Sequence, residues 1–463
     1  MKKLALFLMI FALVFVTACS SGGGTESGSN SGGGQESGAN AGGTNTGGTD
    51  NSNEAKGAGN EPYPVTDKEV TLSYQFWDVN QQPAMQKIVD EFNKIYPNIK
   101  IQLEVIPWDQ YWVNLEAAAT GGTLPDIFWI NATNFRLYAL NNQLLPLKER
   151  IEKENYSTAN FPEPLLDLYT IDGEQYGFPK DVDTIGLWYN KELFDQAGLE
   201  YPNENWTWDD LIENAKALTN PEKKVWGFAA HISQQTNWYN TVYQAGGYVL
   251  NEDRTKAGHA DPKSIEGLKL FTDMIHVHKA SPTIGQMTDT EPRVMFESGN
   301  VAMIFDGSWN QIRFRDNEYT SDRVDVTYLP KGPAGRATIV HGLANVIAKN
   351  TKHPNEAWAF LKFLGSERAA EIQGETGTVL PSYDSAMELW VKSNPKFNLQ
   401  IFVDSLEWGV GYPTTVQGRK AQQIETDIFT RAWAGEISIE EAAQQVAEGV
   451  QAVLDEDNAK YKR

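Results

Sequence analysis

The chain has 463 residues, of which 41% are hydrophobic, so it is long enough to build cores for two domains. Its formal net charge of −22 argues against nucleic acid or an anionic membrane surface as the ligand, because such a surface repels both. The single cysteine, Cys19, can form neither an internal disulfide nor a thiolate metal site.

The first predicted element is a secretion signal. Met1–Lys3 is basic, and Leu4–Val16 is an apolar run that is too short to span a bilayer permanently. The run ends in Val16-Thr17-Ala18-Cys19-Ser20, which resembles the lipobox of bacterial lipoproteins, with Val16 in place of the usual leucine. We therefore expect a signal peptide over residues 1–18 and lipid on Cys19, anchoring the protein at the outer face of the cytoplasmic membrane. A non-lipidated signal with a chance cysteine is the alternative.

A segment rich in Gly, Ser, Asn and Thr follows the cysteine. Residues 20–60 contain almost nothing that could be buried, which predicts disorder. With the lipidated N-terminus, the segment predicts a flexible tether over residues 19–67. By flexible-chain statistics, such a tether could hold a domain just off a membrane or within a cell wall.

Strands and helices alternate from about Lys68 onward. Alternating or continuous apolar residues predict three strands, namely Val70–Tyr74, Ile99–Val105 and Asp126–Ile130. Pro83 opens a helix after the first strand, and a second helix precedes Gly121-Gly122. This order predicts an α/β fold with a parallel sheet, in which ligands lie beyond the carboxyl ends of the strands.

Later helices are predicted from apolar residues that share one face. Thr207 caps one of them, and Ser438 with Glu441 forms a capping box for the last. Their apolar stretches are Leu211–Leu218, Ile265–Ile275, Ala357–Leu364 and Val446–Val453.

Four groups of short sequence motifs follow one another along the chain. They are Phe76-Trp77-Asp78, then Gly121-Gly122-Thr123-Leu124-Pro125-Asp126-Ile127, then Tyr176-Gly177-Phe178-Pro179 with Leu187–Phe194, and Phe296–Met303 with Gly307-Ser308-Trp309. Together, from Lys68 to the end of the chain, they resemble the family 1 extracellular solute-binding proteins. These are the sugar-binding components of bacterial ABC importers, of the maltose-binding type.

The resemblance implies a two-lobed fold of the periplasmic-binding-protein type (type II), with a hinge of three crossings. Lobe 1 would comprise residues 68–180 plus 340–380, and lobe 2 residues 181–339 plus 381–463. It further implies a monomer that captures an extracellular sugar and passes it to the transmembrane subunits of an ABC permease. No enzymatic activity, metal or cofactor is implied. The many Trp residues favour an oligosaccharide.

Sugars are held by aromatic rings that stack on C–H faces and by carboxylates or amides that bind hydroxyls. We rank candidates by their position after predicted strands, at the crossings, or at places where the family has ligand contacts. For His341, a hinge hydrogen bond is an equal alternative. The candidate ligand-binding residues are Trp77, Asp78, Trp129, Asn131, Asn134, Asp181, Asp183, Trp238, Asp306, Trp309, His341, Trp408 and Tyr412. The remaining patterns favour core positions for Trp112, Trp188, Trp208 and Trp358.

Other classes of protein remain open. A peptide or other non-sugar solute is the nearest alternative ligand. A secreted glycoside hydrolase would need two carboxylates roughly 5–10 Å apart, for which Asp181 and Asp183 are candidates without a supporting motif. His276 and His278 point apart on a predicted helix, which disfavours metal capture. An adhesive surface protein would need no interlobe cleft.

Overall fold

The computed structural model describes residues 62–461. The predicted signal peptide, the lipidation site Cys19 and the tether up to residue 61 lie outside this part of the chain. The Tyr63 ring packs under the Arg150 guanidinium at 4.0 Å, and the Thr66 backbone N–H donates to Glu356 at 2.9 Å. Contacts with the folded body thus begin before residue 67, where the tether was predicted to end.

The strands predicted at the start of the folded region are present. In chain order the strands are β1 Val70–Phe76, β2 Ile99–Val105, β3 Ile127–Ile130, β4 Thr170–Ile171, β5 Glu174–Gln175, β6 Gly177–Pro179, β7 Ile185–Asn190, β8 Trp226–Phe228, β9 Val301–Gly307, β10 Val324–Tyr328, β11 Thr338–Val340, β12 Ala344–Ile347 and β13 Gly409–Gly411. Period-two alternation of apolar residues therefore located β1 and β2 correctly.

The helices for which start or stop signals were predicted are present, together with others that the sequence did not mark. In chain order they are α1 Gln82–Ile95, α2 Trp108–Gly121, α3 Ala132–Leu140, α4 Lys148–Glu154, α5 Glu163–Leu168, α6 Lys191–Ala197, α7 Trp208–Leu218, α8 Tyr239–Gln244, α9 Pro262–His276, α10 Ile284–Asp289, α11 Pro292–Glu297, α12 Gln311–Asp316, α13 Thr320–Arg323, α14 Pro354–Leu364, α15 Glu367–Thr376, α16 Asp384–Lys392, α17 Gln400–Asp404, α18 Gly418–Trp433 and α19 Ile439–Tyr461. Pro83 lies in the first turn of α1, and Thr207 and Asp210 cap α7 reciprocally. Between residues 62 and 461, no helix is both long and apolar enough to cross a membrane.

The first lobe is built on a sheet with strand order β2-β1-β3-β12-β6. β1 is parallel to β2 and β3, whereas β12 is antiparallel to both β3 and β6. The carboxyl ends of β1, β2, β3 and β6 therefore meet the amino end of β12 at one edge. Helices α1, α14 and α15 cover one face, and α2 and α3 cover the other.

The second lobe is built on a sheet with strand order β10-β7-β9-β8. β8 and β9 are parallel, and β7 is antiparallel to β9 and β10. Its core includes aromatic side chains from strands and helices far apart in sequence, among them Trp188, Phe271, Phe305 and Trp433. The carboxyl ends of β8 and β9 and the segment before β7 share one edge.

Three chain crossings meet side by side between the lobes. Residue 181 bridges residue 381, and residue 183 bridges residue 341. The backbone N–H of Val182 donates to Leu380 O at 3.0 Å, and that of Asp183 donates to His341 O at 2.7 Å. The two-lobed α/β fold with three hinge crossings is confirmed. Helix α16 contributes Ala386 to the first core and Trp390 to the second, so the third crossing leads into a shared helix.

Candidate ligand-binding site

Most sequence-predicted residues of lobe 1 gather at the strand-end edge of its sheet. Trp77 and Asp78 follow β1, Asn131 follows β3, Asp181 follows β6, and His341 precedes β12. Because β1 is flanked by β2 on one side and β3 on the other, this edge is a topological switch point, where α/β sheets bind ligands.

Two of these polar side chains also cap local structure. The Asp78 carboxylate accepts from the Asn80 backbone N–H at 3.0 Å and from the Gln81 amide at 2.9 Å. The Asn131 side chain caps α3 by accepting from the Asn134 backbone N–H at 3.2 Å and from its amide at 2.9 Å. These bonds fix the orientation of Asp78 and Asn131, and each side chain keeps hydrogen-bonding capacity for a ligand.

An aromatic cluster stands at the end of β1. The Trp77 ring has centroid distances of 5.1 Å to Trp108, 5.5 Å to Trp112 and 5.3 Å to Trp129. Trp129, predicted to contact ligand, is fully buried, and its Nε1 donates to Tyr74 Oη at 2.6 Å. It thus supports Trp77 from below, while Trp77 itself remains half-buried.

A buried lysine that the sequence analysis missed links this cluster to the hinge. Lys180 Nζ lies 2.6 Å from Asp181 Oδ2 and donates to Gln81 Oε1 at 2.9 Å, and it lies 4.3 Å from the Trp129 ring centroid. The other Asp181 oxygen accepts from the Leu343 backbone N–H at 2.7 Å. Lys180 therefore ties β6, the turn after β1 and the second hinge crossing together.

Asp183 connects the first crossing to lobe 2. Its Oδ1 accepts from the Gln235 amide at 2.5 Å. Burial, reinforced by the charge of Asp181, holds the pKa of Asp183 well above its ordinary value. Gln235 belongs to a π-helical turn, Gln234–Trp238, just beyond β8, and such turns are frequent at functional sites.

Trp309 and Asp306 lie at the carboxyl end of β9. The Asp306 carboxylate is satisfied by Arg293 at 2.6 and 3.1 Å and by Asn310 at 2.8 Å, which makes it a support rather than a free ligand group. The Trp309 ring lies directly on Gly307, where a Cβ atom would come within 1.8 Å of a ring carbon. Gly307 therefore lets the indole lie against the strand end, and part of the ring stays exposed.

Three predicted residues of lobe 2 have other surroundings. Trp238 is fully buried against Tyr239 and Phe429, so core packing accounts for it and it offers no surface to a ligand. Trp408 packs on Tyr328 and Arg336 instead of on the residues around Trp309.

The third, Tyr412, packs beside His341 with ring centroids 4.9 Å apart and the rings tilted by 48°, and its hydroxyl accepts from the Gln422 amide. The same amide donates to Thr133 Oγ1 at 3.4 Å, which brings α18 of lobe 2 against α3 of lobe 1. These contacts place Tyr412 at the junction of the two lobes.

His341 makes the hinge hydrogen bond that was one of its two predicted roles. Its Nε2 accepts from the Ala132 backbone N–H at 3.2 Å, which requires an unprotonated nitrogen. Burial lowers the pKa of His341 to about 4, although Asp181 acts in the opposite direction. The imidazole is therefore neutral in the folded protein at neutral pH.

Acid should destabilise the fold through this histidine. Between pH 6.5 and 4 the unfolded chain binds a proton at residue 341 and the folded chain does not, so the free energy of unfolding falls by about 3 kcal/mol. In His341→Gln the side-chain amide oxygen can still accept the hydrogen bond from the Ala132 backbone N–H, but the side chain no longer titrates. Urea unfolding at several pH values should show this extra loss in the parent only. Parallel pH curves for the two proteins would contradict the assignment, and His231, whose pKa burial also lowers to about 4, is common to both.

The described residues do not assemble a metal site. Nowhere in residues 62–461 do three or more His, Cys, Asp or Glu side chains group so as to hold a metal ion. Of the two histidines considered for metal capture, His276 contacts the Trp433 carbonyl at 3.1 Å through Nε2.

Two α/β lobes joined by three crossings, with polar and aromatic groups at both strand-end edges, define a two-lobed solute-binding protein. The sequence profile of the bacterial extracellular solute-binding proteins matches residues 78–371, and the chain belongs to this family. Its members are binding proteins, extracellular or periplasmic, rather than enzymes.

Relatives with named ligands are similar over most of the folded region. An arabinooligosaccharide-binding protein of Halalkalibacterium halodurans is 29% identical over 334 residues, covering 70% of this chain and 73% of the relative. A protein of the same description from Bacillus subtilis is 28% identical over 313 residues, covering 63% and 69%.

Solved structures with the same fold cover nearly the whole described region. An ABC substrate-binding protein of Listeria monocytogenes in complex with cycloalternan is 26% identical, with a TM-score of 0.79, covering 84% of this chain and all of that one. A cyclic α-maltosyl-1,6-maltose binding protein from Arthrobacter globiformis is 27% identical, with a TM-score of 0.68, covering 84% and 99%.

Proposed function

We propose that the protein captures an extracellular oligosaccharide between its lobes and delivers it to the transmembrane subunits of an ABC permease. The observation that carries the proposal is that each lobe has a partly exposed indole at the strand-end edge of its sheet, Trp77 in lobe 1 and Trp309 in lobe 2. Polar groups accompany both rings, which is the combination that sugar recognition uses. The relatives and solved structures named above for oligosaccharides support the same ligand class.

Capture works through the hinge. A ligand that contacts both lobes favours the closed arrangement, because only there can it touch Trp77 and Trp309 together. Contacts between the lobes, such as the Gln422–Thr133 hydrogen bond, add to the stability of that arrangement. The permease then distinguishes the loaded protein from the empty one by the relative positions of the lobes.

The proposal includes a lipid anchor. A signal peptide over residues 1–18 and lipid on Cys19 would hold the monomeric protein at the outer face of the cytoplasmic membrane, with the Gly- and Ser-rich segment as a tether. The sequence around Val16–Ser20 supports this part. Mass spectrometry of the mature N-terminus tests it, and an unmodified or absent Cys19 would refute it.

A thermal-shift screen tests ligand capture. We expect one or a few oligosaccharides from a broad panel of mono- and oligosaccharides to raise the melting temperature, because a ligand that binds only the folded state stabilises it by RT ln(1 + [L]/Kd). At a hundredfold excess over Kd the gain is about 2.7 kcal/mol. Peptides and chromogenic glycosides serve as the comparison. A shift with peptides alone, or turnover of a glycoside, would replace the proposal with one of its alternatives.

A further inference from the structure

Trp108 is the feature of the strand-end edge that the proposed site leaves unused. It opens α2, directly after β2, and 48% of its surface is exposed. Neighbouring Trp112 is 4% exposed and Trp129 is fully buried. A single exposed hydrophobic side chain is ordinary on a protein surface, but Trp108 continues an aromatic cluster from the interior to solvent.

The position of Trp108 follows from the strand order. In the sequence β2-β1-β3, Trp108 stands at the end of β2, Trp77 at the end of β1, and Trp129 within β3. The Trp77 ring contacts both of the others, at centroid distances of 5.1 Å to Trp108 and 5.3 Å to Trp129, so the three indoles form a contiguous row. Exposure increases along this row from Trp129, through half-buried Trp77, to Trp108.

Contacts within the row fix the outer ring without burying it. Trp108 meets Trp77 at a centroid distance of 5.1 Å and an interplanar angle of 81°, and Trp112 at 5.4 Å and 84°. Edge contacts of this kind are favourable for aromatic pairs and hold the indole in place. The exposed side chains of Asp109 and Gln110 follow it and can bind hydroxyl groups.

We propose that Trp108 forms an outer stacking subsite, which makes the protein select longer oligosaccharides over mono- and disaccharides. This inference rests on the proposed function. The inner sugar units lie between Trp77 and Trp309, and a further unit along the same chain stacks on Trp108. A short sugar that fills only the inner positions does not reach β2, the outermost strand of the sheet.

Affinity measured against sugar length tests the subsite. Calorimetric titration of the detergent-solubilised protein would use a series of linear oligosaccharides of one type, from one to six units. In the parent, affinity should rise with length. Trp108→Ala should lose about tenfold in affinity for the longer members only, and Trp108→Phe should recover part of it. Val113→Ala, an exposed position on the same helix at 55% exposure, is the control and should match the parent.

Different failures have different meanings. If the parent binds sugars and Trp108→Ala is unchanged, or loses equally at every length, the outer subsite is wrong and the proposed function stands. If no sugar of any length binds the folded parent, the proposed function fails and the subsite with it. If Trp108→Ala keeps full affinity at all lengths but slows uptake in cells, the ring contacts the permease and the subsite is overturned.

Discussion

Replacing Trp309 with alanine should weaken oligosaccharide binding by about thirtyfold or more and leave the protein folded. The ring lies on Gly307 at the end of β9 and is only partly buried, so its loss removes stacking surface without opening a large core cavity. Aromatic anchors at the centre of binding sites typically contribute about 2 kcal/mol or more on truncation, which corresponds to this change in Kd. Calorimetric titration with the sugar found in the thermal-shift screen measures the effect.

Trp208→Ala is the matched control for this experiment. Trp208 is also half-buried in lobe 2, but it lies at the start of α7 with its Nε1 donating to Gln244 at 2.9 Å. We expect this variant to lose stability and to keep the affinity of the parent. Equal affinity of Trp309→Ala and the parent would remove Trp309 from the site, whereas equal loss in both variants would point to a general effect of indole removal in this lobe.

Local sequence patterns were sufficient for some of the elements that position the site, chiefly those at the start of lobe 1. Alternation of apolar residues identified β1 and β2, and Pro83 and Thr207 each marked the start of a helix. These signals could be recognised because they depend only on neighbours a few residues away. Trp108 could have been found by the same rule as Trp77, since both follow a predicted strand. The patterns also favoured core positions for Trp112, Trp188 and Trp358, and these are buried.

The surroundings of individual side chains could not be predicted, because they depend on partners that are distant in the sequence. Lys180 shows this most clearly, because Gln81 and Gln373, which accept its hydrogen bonds, are 99 and 193 residues away in the chain. Trp238 is buried by Phe429 in the same way. The sequence around a tryptophan or an aspartate does not show whether its side chain faces a cleft or a core. The candidates could therefore be ranked by their position relative to the strands but not by their exposure.

Replacing Lys180 with methionine should cost about 3 kcal/mol or more in the free energy of unfolding. The side chains of Lys180 and Asp181 are 2% and 5% exposed, and removing one partner of a buried ion pair leaves the other charge uncompensated. Asp181→Asn should be costly for the same reason, since it leaves the lysine unpaired. The double variant should cost clearly less than the two single costs combined, because it leaves no lone charge. Urea unfolding of the four proteins measures this coupling, and additive effects would show that the pair is not coupled.

The Lys180→Met variant also distinguishes residues that contact the sugar from residues that position those contacts. Lys180 reaches the Trp129 ring below Trp77, the Gln81 amide beside Asp78, and the hinge through Asp181. Lys180→Met should therefore lower both stability and affinity, whereas Trp309→Ala should lower affinity almost alone. Lys180→Arg keeps the charge but not the fit, since guanidinium is larger and planar, and should recover stability only in part. Full affinity in Lys180→Met, despite the lost stability, would confine the lysine to folding and leave the orientation of Trp77 to its aromatic neighbours.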